Sequence, residues 1–222
     1  MSDKRNDFIV GNNLALYGEK IILNLLNQSN VECYLSTYKR ASAFSKVYEM
    51  MPDFWEHQCN RIKEYADGKQ DNKARYLIAD KMSLQGVGYI ELDYGNPEMP
   101  EVDIAMLEEY QGKGYAFEAT KILFVNVFGN ESIKCIVWNA FCSNKASCRI
   151  AEKLGGKGVE RKNLVVEAMQ AAGLKVNSAD YKEAPATVAY EISKEIFMNK
   201  FCDRNYNKHD KNVQTIAGEN TK

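Results

Sequence analysis

The sequence is short of the residues that build metal sites and cross-linked folds. It has only two histidines, and none of its six cysteines belongs to a Cys-x-x-Cys pair. A structural zinc site needs four nitrogen or sulfur ligands at characteristic spacings, and disulfide frameworks belong to oxidising compartments. We therefore expect free thiols in a reducing compartment and no metal site.

Long apolar runs and an excess of charge are missing as well. No apolar run approaches the ~20 residues that a membrane-spanning helix needs, and the N-terminal MSDKRND lacks the pattern of a signal peptide. The net charge of -1 supplies no broad basic field that would attract nucleic acid. These absences predict a cytoplasmic protein with neither nucleic acid nor a membrane as its partner.

The length predicts one structural unit. A chain of 222 residues suffices for one hydrophobic core of ordinary size. We predict an N-terminal extension over 1–19, a single domain over 20–198 and a polar, flexible tail over 199–222. A helical pattern at 163–174 marks 157–186 as a candidate helical insertion within the domain.

The order of strand and helix patterns predicts a mixed α/β fold. Its elements are a first strand at 20–26, helices at 31–44 and 53–65, a hairpin at 75–92, two strand–helix units at 102–128 and 133–154, and a last strand at 187–197.

The first strand–helix unit contains the turn Gln111-Gly112-Lys113-Gly114, which leads into a helix at Tyr115. A helix N-terminus presents free backbone N–H groups, here those of Tyr115 and Ala116, and the positive end of the helix dipole; both favour a phosphate. Gly112 and Gly114 let the backbone approach an anion closely, and Lys113 adds a positive charge.

This glycine pattern alone leaves alternatives open. A dinucleotide-binding turn requires a third glycine that is missing here, and a P-loop requires Gly-Lys-Ser/Thr where the chain has Gly112-Lys113-Gly114. A plain glycine turn between a strand and a helix is the remaining alternative.

The second strand–helix unit helps to decide what kind of turn this is. Its helix has a capping residue at Ser143 or Asn144 and glycine just past its end at Gly155. An apolar stripe runs along one face of this helix at Ser147, Ile150, Ala151 and Leu154.

Together the two units resemble the GNAT acyltransferase superfamily. The pattern Gln111-x-x-Gly114-x-Ala116 matches its Arg/Gln-x-x-Gly-x-Gly/Ala signature for the coenzyme A pyrophosphate, and the run 144–155 resembles its second coenzyme-contacting helix. The string 110–119 is most similar to the branch that holds the ribosomal-protein and spermidine N-acetyltransferases. The resemblance covers residues 20 to about 197. It implies a mostly antiparallel twisted sheet with a splayed parallel strand pair and flanking helices.

The resemblance also implies an activity. A primary amine, on a small molecule or at a protein N-terminus, attacks the thioester of acetyl-CoA in a ternary complex, without a metal. A backbone N–H around Leu107 polarises the thioester carbonyl. The implied coenzyme contacts are Leu107, Gln111, Gly112, Lys113, Gly114, Tyr115, Ala116, Asn144 and Ser147. Homodimers are frequent in the family, so a homodimer is left open.

Two carboxylates are candidates for the general base. Glu101 and Asp103 lie on one face of the predicted strand because side chains alternate along it. A half-buried carboxylate with a raised pKa accepts the proton of the ammonium. Glu101 falls where relatives in this branch often have a glutamate, so it is preferred to Asp103. A solvated strand face with two acids is the alternative.

The general acid is where the chain departs from the family pattern. Many members have a tyrosine three residues before the last leucine of the second helix, where this chain has Ala151. Gly156 also replaces the usual aromatic residue. The role of the acid then falls to water, to Ser147 or to a tyrosine from elsewhere. Asn144 and Ser147 have structural alternatives, as a helix cap and as a hydroxyl bonded back to the helix.

These departures keep a second function open, that of a catalytically weak module that binds coenzyme A as a sensor or scaffold.

Overall fold

The computed structural model describes residues 14–69, 71–163 and 186–202. Eight strands in these ranges form one sheet in the order β1-β2-β3-β4-β5-β6-β8-β7. The strands are β1 (Ala15–Tyr17), β2 (Ile21–Leu25), β3 (Lys73–Asp80), β4 (Gly86–Asp93), β5 (Glu101–Met106), β6 (Cys135–Phe141), β7 (Lys157–Asn163) and β8 (Ala186–Ser193).

Six α-helices accompany the sheet in the same ranges. They are α1 (Val31–Ala41), α2 (Ser45–Met50), α3 (Pro52–Ala66), α4 (Tyr115–Val127), α5 (Lys145–Lys153) and α6 (Lys194–Phe201). None of these helices has the length and apolar character needed to cross a membrane.

The sheet is antiparallel except between β5 and β6. These two strands run parallel and pair at two positions only, Glu101 with Val137 and Val102 with Trp138. The rest of β5, as far as Met106, and the rest of β6, as far as Phe141, have no pairing with each other. We call the space between these two segments the strand gap. The predicted mixed α/β fold with a splayed parallel pair is confirmed.

Helices cover both faces of the sheet because side chains alternate along its strands. On one face α4, α5 and α6 pack on a core that includes Ile78, Ile90 and Leu123. On the other face α1 and α3 pack on a smaller core around Tyr34 and Tyr89. The burial of each large apolar side chain contributes roughly 1.5–3 kcal/mol.

Several predicted boundaries are wrong. The helix predicted at 31–44 ends at Ala41, because Ser42 has the extended conformation φ -58°, ψ 142°, and a separate α2 follows. The last strand ends at Ser193 rather than at 197, because the Ser193 hydroxyl accepts the Ile196 N–H at 3.3 Å and thereby caps α6. Lys157–Asn163 is a strand that pairs with β8, so the insertion predicted as helical begins with β7.

Parts of the predicted N-terminal extension, helical insertion and C-terminal tail lie outside the described residues, namely 1–13, 164–185 and 203–222. Within the predicted extension 1–19 the structure shows β1, which pairs with β2. Residues 199–201 of the predicted tail belong to α6.

Candidate active site

The glycine turn connects β5 to α4 and forms an anion cradle, which we define as residues 111–117. A short 3-10 helix at Glu108–Tyr110 precedes it, and Gln111 is extended. The first backbone hydrogen bond of α4 runs from the Glu118 N–H to the Gly114 C=O at 3.1 Å. The N–H groups of 115–117 therefore have no partner within the helix, and no side chain caps them. They are available to an anion.

Glycine is required at two cradle positions by backbone conformation. Gly112 has φ +72° and Gly114 has φ +85°, in the left-handed region that side chains disfavour. A Cβ atom at either position would meet nothing within 4 Å, so the space over both residues is open. The cradle is thus an accessible backbone surface.

Side chains tie the cradle to its surroundings. The Tyr115 hydroxyl donates to Asp80 Oδ2 at 2.7 Å, at the end of β3. The Ser83 N–H and then this tyrosine lower the pKa of Asp80 to about 2. The Lys113 ammonium lies 4.9 Å from the centre of the Tyr110 ring, which keeps its charge beside the cradle.

Backbone groups of β5 line one side of the strand gap. The Leu107 N–H donates to the Val87 C=O at 2.9 Å, towards β4. Leu107 therefore does not offer its N–H to the gap, which corrects the expectation for this residue. Because backbone groups alternate in direction along a strand, those of Ile104 and Met106 face β6 instead. The Gln111 side chain donates to the Met106 C=O at 3.2 Å at the end of the gap.

The N-terminus of α5 is bonded to β6 at Trp138, where the pairing of β6 with β5 ends. Asn144 Oδ1 accepts the Ser147 N–H at 3.0 Å, so Asn144, not Ser143, caps the helix. The Trp138 Nε1–H donates to Ser147 Oγ at 2.8 Å. Since this bond uses the oxygen of Ser147 as an acceptor, the hydroxyl hydrogen of Ser147 points elsewhere and can be donated.

The two departures from the family pattern have a packing explanation. Ala151 is wholly buried in the core. A Cβ atom on Gly156 would lie 2.8 Å from the Ala151 carbonyl oxygen and 3.2 Å from the Tyr190 Cβ, so this position has no room for an aromatic side chain. Neither position offers a proton donor to the gap, whereas Ser147, one turn before Ala151, is partly exposed.

Asp103 lies immediately beyond the last paired position of β5, where the strand gap begins. Its carboxylate accepts a hydrogen bond from the Tyr89 hydroxyl at 3.2 Å. The side chain reaches solvent, but the surrounding protein still desolvates it. This desolvation, followed by the charge of Glu91, raises the pKa of Asp103 to about 6. The residue is therefore an accessible carboxylate that titrates near neutrality.

Glu101 lies before the gap begins, at the position paired with Val137. It lines an open pocket of about 420 Å³ together with Asp93, Gly95, Asn96, Met99 and Val137. The two candidate bases therefore share a face of β5, as predicted, but only Asp103 borders the gap.

A charged network supports the same face of the sheet. Glu91 is buried and accepts a 2.6 Å hydrogen bond from the Tyr34 hydroxyl. It also lies 3.2 Å from Arg75 Nε and 3.3 Å from Lys73 Nζ. Because Glu91 has these cationic partners and a hydrogen-bond donor, its charge is compensated inside the protein.

Three residues of this site are absent from the expectations drawn from the sequence: Tyr89, Ile104 and Met106. The pairing register of β4 and β5, which joins Glu91 with Asp103 and Tyr89 with Ala105, brings Tyr89 beside Asp103. The alternating patterns of both strands contain part of this signal, but a register must be assumed before it can be used. Among the described residues, no three His, Cys, Asp or Glu side chains form a group that could hold a metal ion.

The chain is similar to known proteins in its sequence and in its fold. The family model described as acetyltransferase (GNAT) domain matches residues 21–157, which is more than half of the chain. A search of curated protein sequences returns no significant match.

Three solved structures illustrate the similarity of fold. The ribosomal-protein-S5-alanine acetyltransferase from Vibrio fischeri is 12% identical, with a TM-score of 0.59 over 83% of this chain and 99% of that chain. A spermidine N-acetyltransferase chimera from Vibrio cholerae and hSSAT is 15% identical, with a TM-score of 0.60 over 82% and 99%. A ribosomal L7/L12 alpha-N-protein acetyltransferase in complex with coenzyme A is 13% identical, with a TM-score of 0.58 over 81% and 97%.

Proposed function

The chain belongs to the GNAT acetyltransferase family, and from this premise we propose that it transfers an acetyl group from acetyl-CoA to a primary amine by direct attack. The observation that carries the proposal is the strand gap, with the anion cradle at one end and an accessible carboxylate, Asp103, at the other. The resemblance in sequence and the coenzyme A bound to one structural neighbour support the choice of donor.

The cradle holds the pyrophosphate of acetyl-CoA in this proposal. The N–H groups of 115–117, the helix dipole of α4 and the ammonium of Lys113 all favour negative charge at this point. Gln111, Gly112, Gly114, Tyr115 and Ala116 contribute to the cradle mainly through the backbone. The pantetheine arm lies in the strand gap, and Asn144 contacts it from the N-terminus of α5.

The N–H groups of Ile104 and Met106 polarise the thioester carbonyl. Main-chain donors suit this task because a strand holds them in place before the reaction begins, so no reorganisation is needed when negative charge develops on the oxygen. Met106 takes the role expected for Leu107, whose N–H is already bonded to Val87.

Asp103 is the general base of this mechanism, in preference to Glu101. Its carboxylate takes a proton from the ammonium form of the acceptor, and the free amine attacks the carbonyl carbon. The new C–N bond forms as the C–S bond breaks, and the thiolate of coenzyme A leaves. Ser147 or water then protonates the thiolate. A carboxylate with a pKa of about 6 has a suitable basicity at neutral pH.

Glu101 contacts the remainder of the acceptor in this proposal. It lines the open pocket, it precedes Asp103 by two residues on the same face of β5, and its carboxylate suits a cationic amine. The acceptor is a small-molecule amine or a protein N-terminus. The single domain over 20–198 and the cytoplasmic location stay predictions.

A thiol-release assay tests the function. We expect release of coenzyme A from acetyl-CoA in the presence of at least one amine from a panel of polyamines, amino acids, aminoglycosides and peptide N-termini. Calorimetric titration with coenzyme A accompanies the assay. Binding without thiol release for any amine would favour the coenzyme A sensor, and a lack of binding would overturn both functions.

A further inference from the structure

Tyr89 on β4 and Asp103 on β5 are diagonal neighbours on one face of the sheet, because the register pairs Tyr89 with Ala105 and Glu91 with Asp103. The Tyr89 hydroxyl spans this diagonal and donates to Asp103 Oδ2 at 3.2 Å. The bond connects a core side chain to the one carboxylate that borders the strand gap in the described part of β5.

The surroundings of Tyr89 leave its ring little freedom. The side chain is only 2% exposed. Its ring centre lies 4.4 Å from that of Tyr38 and 6.2 Å from that of Tyr34. Both of these tyrosines belong to α1, so this helix packs directly on the Tyr89 ring. A tyrosine ring in such a site holds its hydroxyl at a fixed position, in contrast to a flexible surface side chain.

A second hydroxyl lies near that of Tyr89. The Ser42 side chain lowers the pKa of Tyr89, although burial outweighs this effect and raises the pKa overall. Ser42 is buried at the end of α1, and its Oγ also accepts the Phe44 N–H at 3.1 Å. Ser42 at the end of α1 thus lies near the hydroxyl that donates to Asp103.

We propose that Tyr89 is a positioning residue for catalysis, whose hydroxyl, on a ring held in place by α1, keeps the Asp103 carboxylate at the entrance of the strand gap in the orientation that accepts the proton of the amine. This inference rests on the proposed function, because it takes Asp103 as the base. It adds a residue that the coenzyme motifs do not contain and that touches neither the coenzyme nor the acetyl group.

The hydrogen bond also sets the basicity of Asp103. Desolvation, Glu91 and Glu101 raise the pKa of Asp103, whereas the Tyr89 hydroxyl and Lys73 lower it. Tyr38 of α1 faces the same carboxylate as a neutral hydroxyl. Without the Tyr89 hydroxyl, only Lys73 opposes the desolvation and the carboxylates that raise the pKa of Asp103, so Asp103 binds its proton more tightly.

The experiment compares Tyr89→Phe with Tyr38→Phe, a matched control that removes a hydroxyl from the adjacent ring. Carboxyl-detected NMR follows the titration of Asp103, with its resonance assigned by its loss in Asp103→Asn. In Tyr89→Phe we expect the pKa of Asp103 to rise by roughly one unit. The acid limb of the kcat/KM profile should move by the same amount, so that the loss is about five-fold larger at pH 6 than at pH 9. Tyr38→Phe should shift neither curve by more than a few tenths of a unit.

The NMR titration and the rate profile distinguish a failure of the positioning role from a failure of the proposed function. An unchanged titration of Asp103 in folded Tyr89→Phe would overturn the positioning role. A shifted titration with an unshifted rate profile would also overturn it, because Asp103 would not be the base. Absence of thiol release in the wild-type protein, with the titration shifted as expected, would instead refute the proposed function.

Discussion

The indole Nε1–H of Trp138 donates a hydrogen bond of 2.8 Å to Oγ of Ser147. Trp138 is the last residue of β6 that pairs with β5, and Ser147 lies in the first turn of α5. This bond therefore fixes the start of α5 relative to the point where the strand gap opens. It uses the Ser147 oxygen as an acceptor, so the hydroxyl hydrogen is available to another group.

Replacement of Ser147 tests the structural part of this relationship. Ser147→Ala leaves the indole N–H of a tryptophan that is 2% exposed without its acceptor. We expect a loss of about 1–3 kcal/mol in the free energy of unfolding, measured by urea denaturation. Ser143→Ala, an exposed control on the preceding loop, should stay within about 0.5 kcal/mol of wild type. Equal values for the two variants would contradict the role of this bond.

The anion cradle is tested by an isosteric pair at Gly114. Asparagine and aspartate tolerate a positive φ better than most residues, so Gly114→Asn and Gly114→Asp should both fold. They differ in the negative charge that Asp places at the cradle. In calorimetry with coenzyme A, we expect binding by Gly114→Asp to be at least about ten-fold weaker than by Gly114→Asn. Similar affinities of the folded variants would place the pyrophosphate elsewhere.

The assignment of the base is tested by removing each carboxylate. Asp103 must lose its proton to act as a base, so the wild-type kcat/KM should rise with pH through about 6. Asp103→Asn should lower kcat by roughly 10²- to 10⁴-fold and abolish that limb. Glu101→Gln should mainly raise KM for a cationic amine. If Glu101→Gln loses kcat while Asp103→Asn does not, the roles are reversed.

The same carboxylate affects stability independently of any activity. Its pKa is raised in the folded protein from 3.8 to about 6, so the folded state binds this proton more tightly than the unfolded chain. The stability contribution of the protonated form is complete below pH 3.8 and is lost as the pH rises through about 6. Asp103→Asn should therefore gain Tm relative to wild type as the pH increases from 4 to 7. A difference that does not depend on pH would contradict the raised pKa.

Two arginine–carboxylate pairs differ in how deeply they are buried. Arg75 and Glu91 have side chains that are 4% exposed, whereas Arg40 and Glu109 are 59% and 52% exposed. Arg75→Met leaves a buried carboxylate short of its partner, and we expect a loss of about 3–5 kcal/mol in the free energy of unfolding. Arg40→Met should cost less than about 1 kcal/mol. Chemical denaturation measures both, and equal losses would contradict this account.

Features that depend on neighbouring residues could be predicted well. Gly112 and Gly114 have the positive φ values that a turn before a helix requires, and of the two predicted capping residues, Ser143 and Asn144, it is Asn144 that caps α5. A hairpin is predicted at 75–92, where β3 and β4 pair. The Ser193 cap that ends β8 and starts α6 is equally local, so this signal is readable in the sequence.

Features that depend on pairing between distant residues could not be predicted in the same way. The expectation that Leu107 offers its N–H to the gap is wrong, because this N–H bonds to Val87, twenty positions earlier in the chain. Which of the two carboxylates, Glu101 or Asp103, borders the strand gap depends on the register of β5 with β6. Local pattern alone leaves the registers of strand pairs open.

The sequence by itself determined the family, the glycine turn before α4 and the capped start of α5, because backbone conformation, capping and the family's motifs lie within short stretches of the chain. Only the tertiary structure decided which carboxylate borders the gap, which N–H groups face it and which tyrosine supports Asp103. These depend on where β5 leaves β6 and how it pairs with β4. The pairing of these strands is determined by the cooperative burial of both faces of the sheet, to which residues far apart in the chain contribute.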